Sequence, residues 1–143
     1  MNSYGFKLGD IISVSRLLYH HYGVYAGNNR VIHYSSENGD FGKDICVREV
    51  DFQKFSNGGS CKVVKFDKNR IKLFSGKETV NRARSRMGEA DYNLVFNNCE
   101  HFALWCKTGT NKSIQVENSV NSVILLGAVF ALACIAESLD INN

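Results

Sequence analysis

A chain of 143 residues with 44% hydrophobic content suits one domain with an ordinary core and leaves little room for a second. The net charge of +3 is too mild to imply a nucleic-acid partner on its own. Five cysteines, Cys46, Cys61, Cys99, Cys106 and Cys134, form no C-x-x-C pair and no zinc-site spacing, so neither a metal centre nor a cofactor is expected. The N-terminus lacks a basic segment ahead of an apolar run, which points to a reducing cytosol where thiols stay free.

In chain order, Gly9-Asp10 leads into a strand at Ile11, Ile12 and Val14. The next strand runs from His21 to Ala26, and Gly27-Asn28-Asn29 reads as a hairpin turn into a third from Arg30 to Tyr34. Residues Ser36 to Lys43 are polar and predict a loop. Ile45 to Phe52 and Cys61 to Phe66 predict two more strands, separated by the turn Asn57-Gly58-Gly59.

Ser75 and Glu78 have the spacing of a capping box and start a helix whose buried face carries Val80, Ala83 and Met87, with Gly88 as the stop. Tyr92, Leu94 and Phe96 alternate as a half-buried strand does. Asn98 then caps a helix from Cys99 to Lys107, which Gly109 ends. The expected class is α+β, an antiparallel sheet with helices packed on it.

Nine basic residues crowd between Lys62 and Arg86. They read either as a solvated strand edge and helix face, or as a surface for anionic phospholipid head groups. Between Glu117 and Glu137 every residue is uncharged. Such a stretch just reaches the ~20 residues of a membrane span. The expected division is a catalytic domain over 1–117 and a hydrophobic anchor over 118–143. The flanking charges would keep the catalytic part on the cytoplasmic face of intracellular membranes as a tail-anchored, single-pass protein.

The chemistry centres on Asn97-Asn98-Cys99-Glu100-His101-Phe102. A thiol attacks as thiolate, and a helix start beside a histidinium can lower its pKa to roughly 3.5–7.5. His101 lies about 200° round the helix from Cys99 and points away. His20 and His21 face opposite sides of a strand. With a three-residue loop, Gly23 pairs with His33, which puts His33 on the face of His21. A two-residue loop would put it on the other. His21 is therefore the expected base for Cys99, and His33 the polar group that orients it.

These strings also resemble a known family. His21-Tyr22-Gly23-Val24-Tyr25-Ala26-Gly27, Asn29-Arg30-Val31-Ile32-His33 and Asn98-Cys99-Glu100-His101-Phe102 are similar to the signatures of the lecithin:retinol acyltransferase-like family, which includes the phospholipase A/acyltransferases. The resemblance covers roughly Phe6 to Thr110 and implies a circularly permuted papain-like fold. It implies calcium-independent phospholipase A1/A2 and acyltransferase chemistry on a glycerophospholipid at a membrane surface. Cys99 would form an acyl-thioester, His21 would relay the proton, and the acceptor would be water, an amine or a lysolipid. His33 would act as the third member of the triad, and the Cys99 backbone N–H as an oxyanion donor.

The short span from His33 to Cys99 resembles the phospholipase branch, whereas Thr108-Gly109-Thr110 resembles the retinoid branch. Three other readings stand beside the first: a retinol-type acyltransferase, a non-catalytic interaction protein like the picornaviral H-box/NC proteins, and a papain-like peptidase or deamidase.

Overall fold

The computed structural model describes residues 4–90 and 98–110. Five strands form one antiparallel sheet: β1 (Ile11–Ser15), β2 (His20–Gly27), β3 (Arg30–Ser35), β4 (Cys46–Asp51) and β5 (Cys61–Val63), in the spatial order β4-β3-β2-β1-β5. Three helices accompany it: α1 (Phe52–Ser56), α2 (Gly76–Ser85) and α3 (Asn98–Thr108). The α+β expectation holds among these residues.

The period-two pattern of the strands divides the core in two. On one face Ile11, Val24, Ala26, Ile32, Tyr34 and Val47 pack with Val80 and Ala83 of α2 and with Cys99, Phe102, Ala103 and Cys106 of α3. On the other, Ile12, Val14, Tyr25, Val31 and Val50 pack with Phe52 and Phe55 of α1. The capping box forms as expected: the Glu78 backbone N–H donates to Ser75 Oγ at 3.2 Å, and the Ser75 backbone N–H donates to Glu78 Oε2 at 2.9 Å.

α2 is locked to α3 by Arg82. Its guanidinium stacks 4.4 Å from the Phe74 ring centroid and 3.9 Å from that of Trp105, while donating to the Trp105 carbonyl. Arg70, Arg84 and Arg86 pair with Asp67, Glu49 and Glu89. Four of the nine clustered cations thus have intramolecular work, which weakens the reading of that stretch as a lipid-facing patch.

The β2–β3 hairpin turns on two residues, not three. Gly27 pairs with Arg30, and Asn28 and Asn29 sit in the left-handed region at φ of 49° and 57°, the geometry that tight hairpins favour. A bulge between Tyr25 and Gly27 then shifts the register to Tyr25↔Val31 and Val24↔Ile32. One extra residue on β2 restores the side-chain parity that a two-residue loop would have reversed. His33 therefore falls on the face of His21, as the sequence reading required, by a different route.

Other expectations need correction. Phe52-Gln53-Lys54-Phe55-Ser56, read partly as the end of a strand, forms α1. A single helical turn lies below the length at which apolar periodicity can be read. The last strand ends at Val63 rather than Phe66, because its partner among the described residues is the short β1. Met87 lies beyond the end of α2 and is exposed. The strand expected at Tyr92 to Phe96 and the anchor expected at 118–143 lie outside the described residues.

The tail-anchored, single-pass placement on the cytoplasmic face is also corrected. Among the described residues no helix is long and apolar enough to cross a membrane. α3, the longest at 11 residues, reaches about 17 Å at 1.5 Å per residue, against the ~30 Å of a bilayer core.

Gly23 sits where the sheet, α1 and His33 meet. A Cβ there would lie 2.6 Å from Val31 Cγ1, 2.9 Å from Phe55 Cε2 and 3.4 Å from His33 Cβ. Gly23→Ala is expected to destabilise the fold by about 1–3 kcal/mol through overpacking, measured as a lower midpoint in urea. An unchanged midpoint would show that the wall beside the histidines is loosely packed.

Candidate active site

His21 and His33 are both buried, and His21 Nε2 and His33 Nδ1 are hydrogen-bonded at 2.6 Å. Phe55 closes the pair from below, its ring centroid 5.4 Å from that of His21 and 5.1 Å from that of His33. The β2–β3 ladder stops at Val24 and Ile32, so the histidines stand just beyond its last rung, each still paired on its outer side, His21 with Val14 of β1 and His33 with Arg48 of β4. His33 Nε2 is buried and has no hydrogen-bond partner among the described residues.

Cys99 approaches from the other face. It is the second residue of α3 and belongs to the cluster under α2 and α3. The backbone N–H of Tyr22, the residue after His21, donates toward its sulfur. The two faces meet at a small cavity lined by Tyr19, His21, Tyr34, Asp40, Phe41, Ile45 and Cys99. Its volume of about 10 Å³ holds roughly one water. His20 lies half-buried at the start of β2, and His101 lies two residues along α3 from Cys99; neither lines this cavity.

Asp40 is the residue that the sequence reading missed, because it sits in a polar loop with no periodicity to mark it. Its carboxylate accepts from Arg16 Nε at 2.8 Å and from the Tyr19 hydroxyl, and its Oδ1 lies 3.6 Å from His21 Nε2. Arg16 also donates to the carbonyls of Phe55 and Ser56. One guanidinium thus ties the Asp40 loop to the end of α1. His21, His33 and Asp40 offer donor atoms within 4.8 Å of one another. Those atoms are already engaged: the two nitrogens with each other and the carboxylate with Arg16 and Tyr19.

Burial sets the electrostatics. It pulls His21 down to about 4, with the Asp40 charge opposing the fall and Arg16 adding to it. It also holds His33 well below the ordinary histidine range, helped by repulsion from His21. Burial alone would raise Asp40, but the Arg16 hydrogen bond, the His21 charge and the Tyr19 hydroxyl together bring it below its usual value. The Cys99 thiol goes the opposite way from the sequence expectation. Burial pushes it up to about 12, although the Tyr22 and Glu100 backbone N–H groups favour the thiolate. In this closed arrangement sulfur and imidazole are both neutral. A thiol near 12 beside an imidazole near 4 places a resting ion pair on the order of 10 kcal/mol uphill before mutual attraction is counted.

These features define a class: an α+β domain in which a helix-borne thiol and a strand-borne histidine line one small cavity, the histidine hydrogen-bonded to a second on the next strand. The comparisons with known proteins assign the family. The lecithin retinol acyltransferase family model matches residues 5–112, and the chain belongs to that family. It is 28% identical to bovine lecithin retinol acyltransferase over 91% of this chain and 70% of that protein. It is 28% identical to the mouse enzyme of the same name, over 85% of this chain and 62% of that protein. It is 29% identical to human phospholipase A and acyltransferase 2, over 89% of this chain and 86% of that protein.

The depressed histidines predict an acid-labile fold. Between the unfolded value of about 6.5 and a folded value of about 4 for His21, the unfolded chain binds more protons, so stability falls as pH falls. Half-buried Glu100, raised above its ordinary value by desolvation, works in the opposite sense to the two histidines. Thermal melts from pH 7 to pH 4 are expected to show a steady loss of midpoint temperature, and His33→Gln is expected to flatten the slope. A midpoint independent of pH across this window would contradict neutral, buried imidazoles.

Proposed function

We propose that the chain is a thiol acyltransferase and phospholipase A acting on glycerophospholipids without calcium. The observation that carries this reading is that Cys99 and His21 line one cavity, with His33 hydrogen-bonded to His21 behind it, in a family whose named members transfer or release acyl groups. The chain spans more of the length of phospholipase A and acyltransferase 2 than of the lecithin retinol acyltransferases, which favours the phospholipase branch. Histidine before cysteine in the chain fits a circularly permuted papain-type order.

His21 Nε2 is spoken for by His33 and lies near Asp40, so the tautomer with its proton on Nε2 leaves Nδ1 to act as base. Cys99 attacks the ester carbonyl as its proton passes to His21, so charge develops only along the reaction coordinate. The tetrahedral intermediate collapses with cleavage of the ester C–O bond, and the lysophospholipid oxygen leaves with the proton from His21. The thioester is then attacked by water, giving hydrolysis, or by an amine or a second lysolipid, giving transfer. The Cys99 backbone N–H stabilises the oxyanion.

His33 holds the ring orientation. The Asp40 carboxylate, fixed by Arg16 and Tyr19, offsets the positive charge on His21 during attack. A cavity of one water's volume cannot admit an ester carbonyl, so Tyr19 and Phe41, whose rings meet at 5.4 Å, must part when substrate enters.

Incubation with acyl-labelled phosphatidylcholine is expected to label Cys99 as a thioester in wild type and not in Cys99→Ala; equal background turnover in both would reject the reading. Because the thiol is held near 12, slow alkylation near neutrality does not separate an active protein from an inert interaction module, and thioester capture does. Asp40→Asn, which keeps the shape and removes the charge, is expected to lower kcat about 10- to 100-fold with KM little changed. A matching rise in KM would instead place Asp40 in substrate binding.

A further inference from the structure

The turn between β1 and β2 carries two adjacent leucines in water: Leu17 is 96% exposed and Leu18 is 55% exposed. They are not on a frayed loop. The Arg16 backbone N–H donates to the Tyr19 carbonyl at 2.7 Å across the turn, and the Arg16 side chain is tied to Asp40 and the end of α1. The fold therefore holds a rigid apolar tip in solvent, where each side chain forgoes the gain of burial.

The tip leads directly into the site. Tyr19 follows Leu18, and its ring meets that of Phe41, itself 38% exposed. Tyr19, Asp40 and Phe41 are common walls of the small cavity holding Cys99 and of an open cleft of about 570 Å³. That cleft is lined by both signs of charge, the Arg16–Asp40 pair together with Lys54 and Glu37, and by Asn38 and Asn57. Balanced charge with amide groups matches a zwitterionic head group, a phosphate joined to an ammonium, better than it matches a purely anionic one.

We propose that Leu17 and Leu18 enter the surface of a zwitterionic phospholipid layer, so that the cleft beside Tyr19 and Phe41 opens on the lipid that supplies the substrate. This rests on the phospholipid reading above and names the surface on which that site works. The contact is peripheral, made by one turn, with the apolar tip below the head groups and the mixed-charge cleft among them.

The test uses the full chain with Leu17→Trp, with wild type and its single Trp105 as reference. Vesicles of phosphatidylcholine brominated in the acyl chain are expected to quench the added emission, and unbrominated vesicles to shift it to the blue. No extra quenching over wild type overturns the proposal, and so does quenching that appears only when anionic lipid is included. A blue shift that grows with protein concentration in the absence of vesicles also overturns it, by showing that a second copy covers the tip.

A second arm separates this surface from the chemistry. Leu17→Ser with Leu18→Ser is expected to lower turnover of phosphatidylcholine vesicles by about tenfold or more, while turnover of monomeric dibutyryl-phosphatidylcholine and the melting temperature stay unchanged. Equal loss on both substrates counts against the proposal. If wild type turns over neither substrate, the functional reading fails, and the quenching result still decides the surface.

Discussion

Two imidazoles 2.6 Å apart against an apolar ring are the constraint from which the site follows. A hydrogen bond between two histidines needs one donor and one acceptor, so at least one ring must be neutral. Burial enforces that by penalising charge on both. The bond in turn needs both rings on one face of adjacent strands, which the bulge between Tyr25 and Gly27 secures. It also needs room between the strands, which Gly23 provides by having no Cβ. Remove any of these, and the His21 ring loses its orientation.

Much of this was legible in the sequence, because strand alternation and helix caps are local properties. The capping box at Ser75 and Glu78 and the helix that begins at Asn98 need no tertiary information to be read. The hairpin shows where locality fails. Two asparagines in the left-handed region make a two-residue turn that by itself would have reversed the face of His33, and the bulge that corrects it is marked only by Gly27, at φ of 80°, a glycine that reads equally well as part of the turn. Asp40 was invisible for another reason. Its place beside His21 is set by Arg16, 24 residues earlier, and that separation belongs to the folded chain alone. The thiol pKa was misread because a helix start was weighed without the burial that outweighs it.

The sheet divides its labour. One face is devoted to cohesion: α2 and α3 pack there, with Arg82 wedged between Phe74 and Trp105. The other face carries the histidines over α1. The thiol meets the histidine side beyond the last rung of the β2–β3 ladder, held by the Tyr22 backbone N–H. This explains how a side chain from the α3 cluster can share a cavity with one from the opposite face, although strict alternation along β2 would keep them apart. A site built at the end of a ladder, where strands part, draws on residues of both parities.

The neutral pair also constrains how such a site could work. A cysteine held as a thiolate reacts with any electrophile that diffuses in, whereas a neutral thiol sealed behind Tyr19 and Phe41 gains nucleophilicity only as its proton moves. In the proposed reaction, admitting an ester would part those two rings and place a carbonyl dipole beside the sulfur and imidazole, changing the surroundings that keep both uncharged. Under that proposal, the same burial that holds the resting thiol near 12 would make reactivity conditional on the presence of substrate. Asp40 fits this arrangement. Fixed by Arg16 and Tyr19 outside the histidine pair, its charge at 3.6 Å does not overcome burial in the closed form, and in the proposed reaction it would stabilise the imidazolium once the cavity opens.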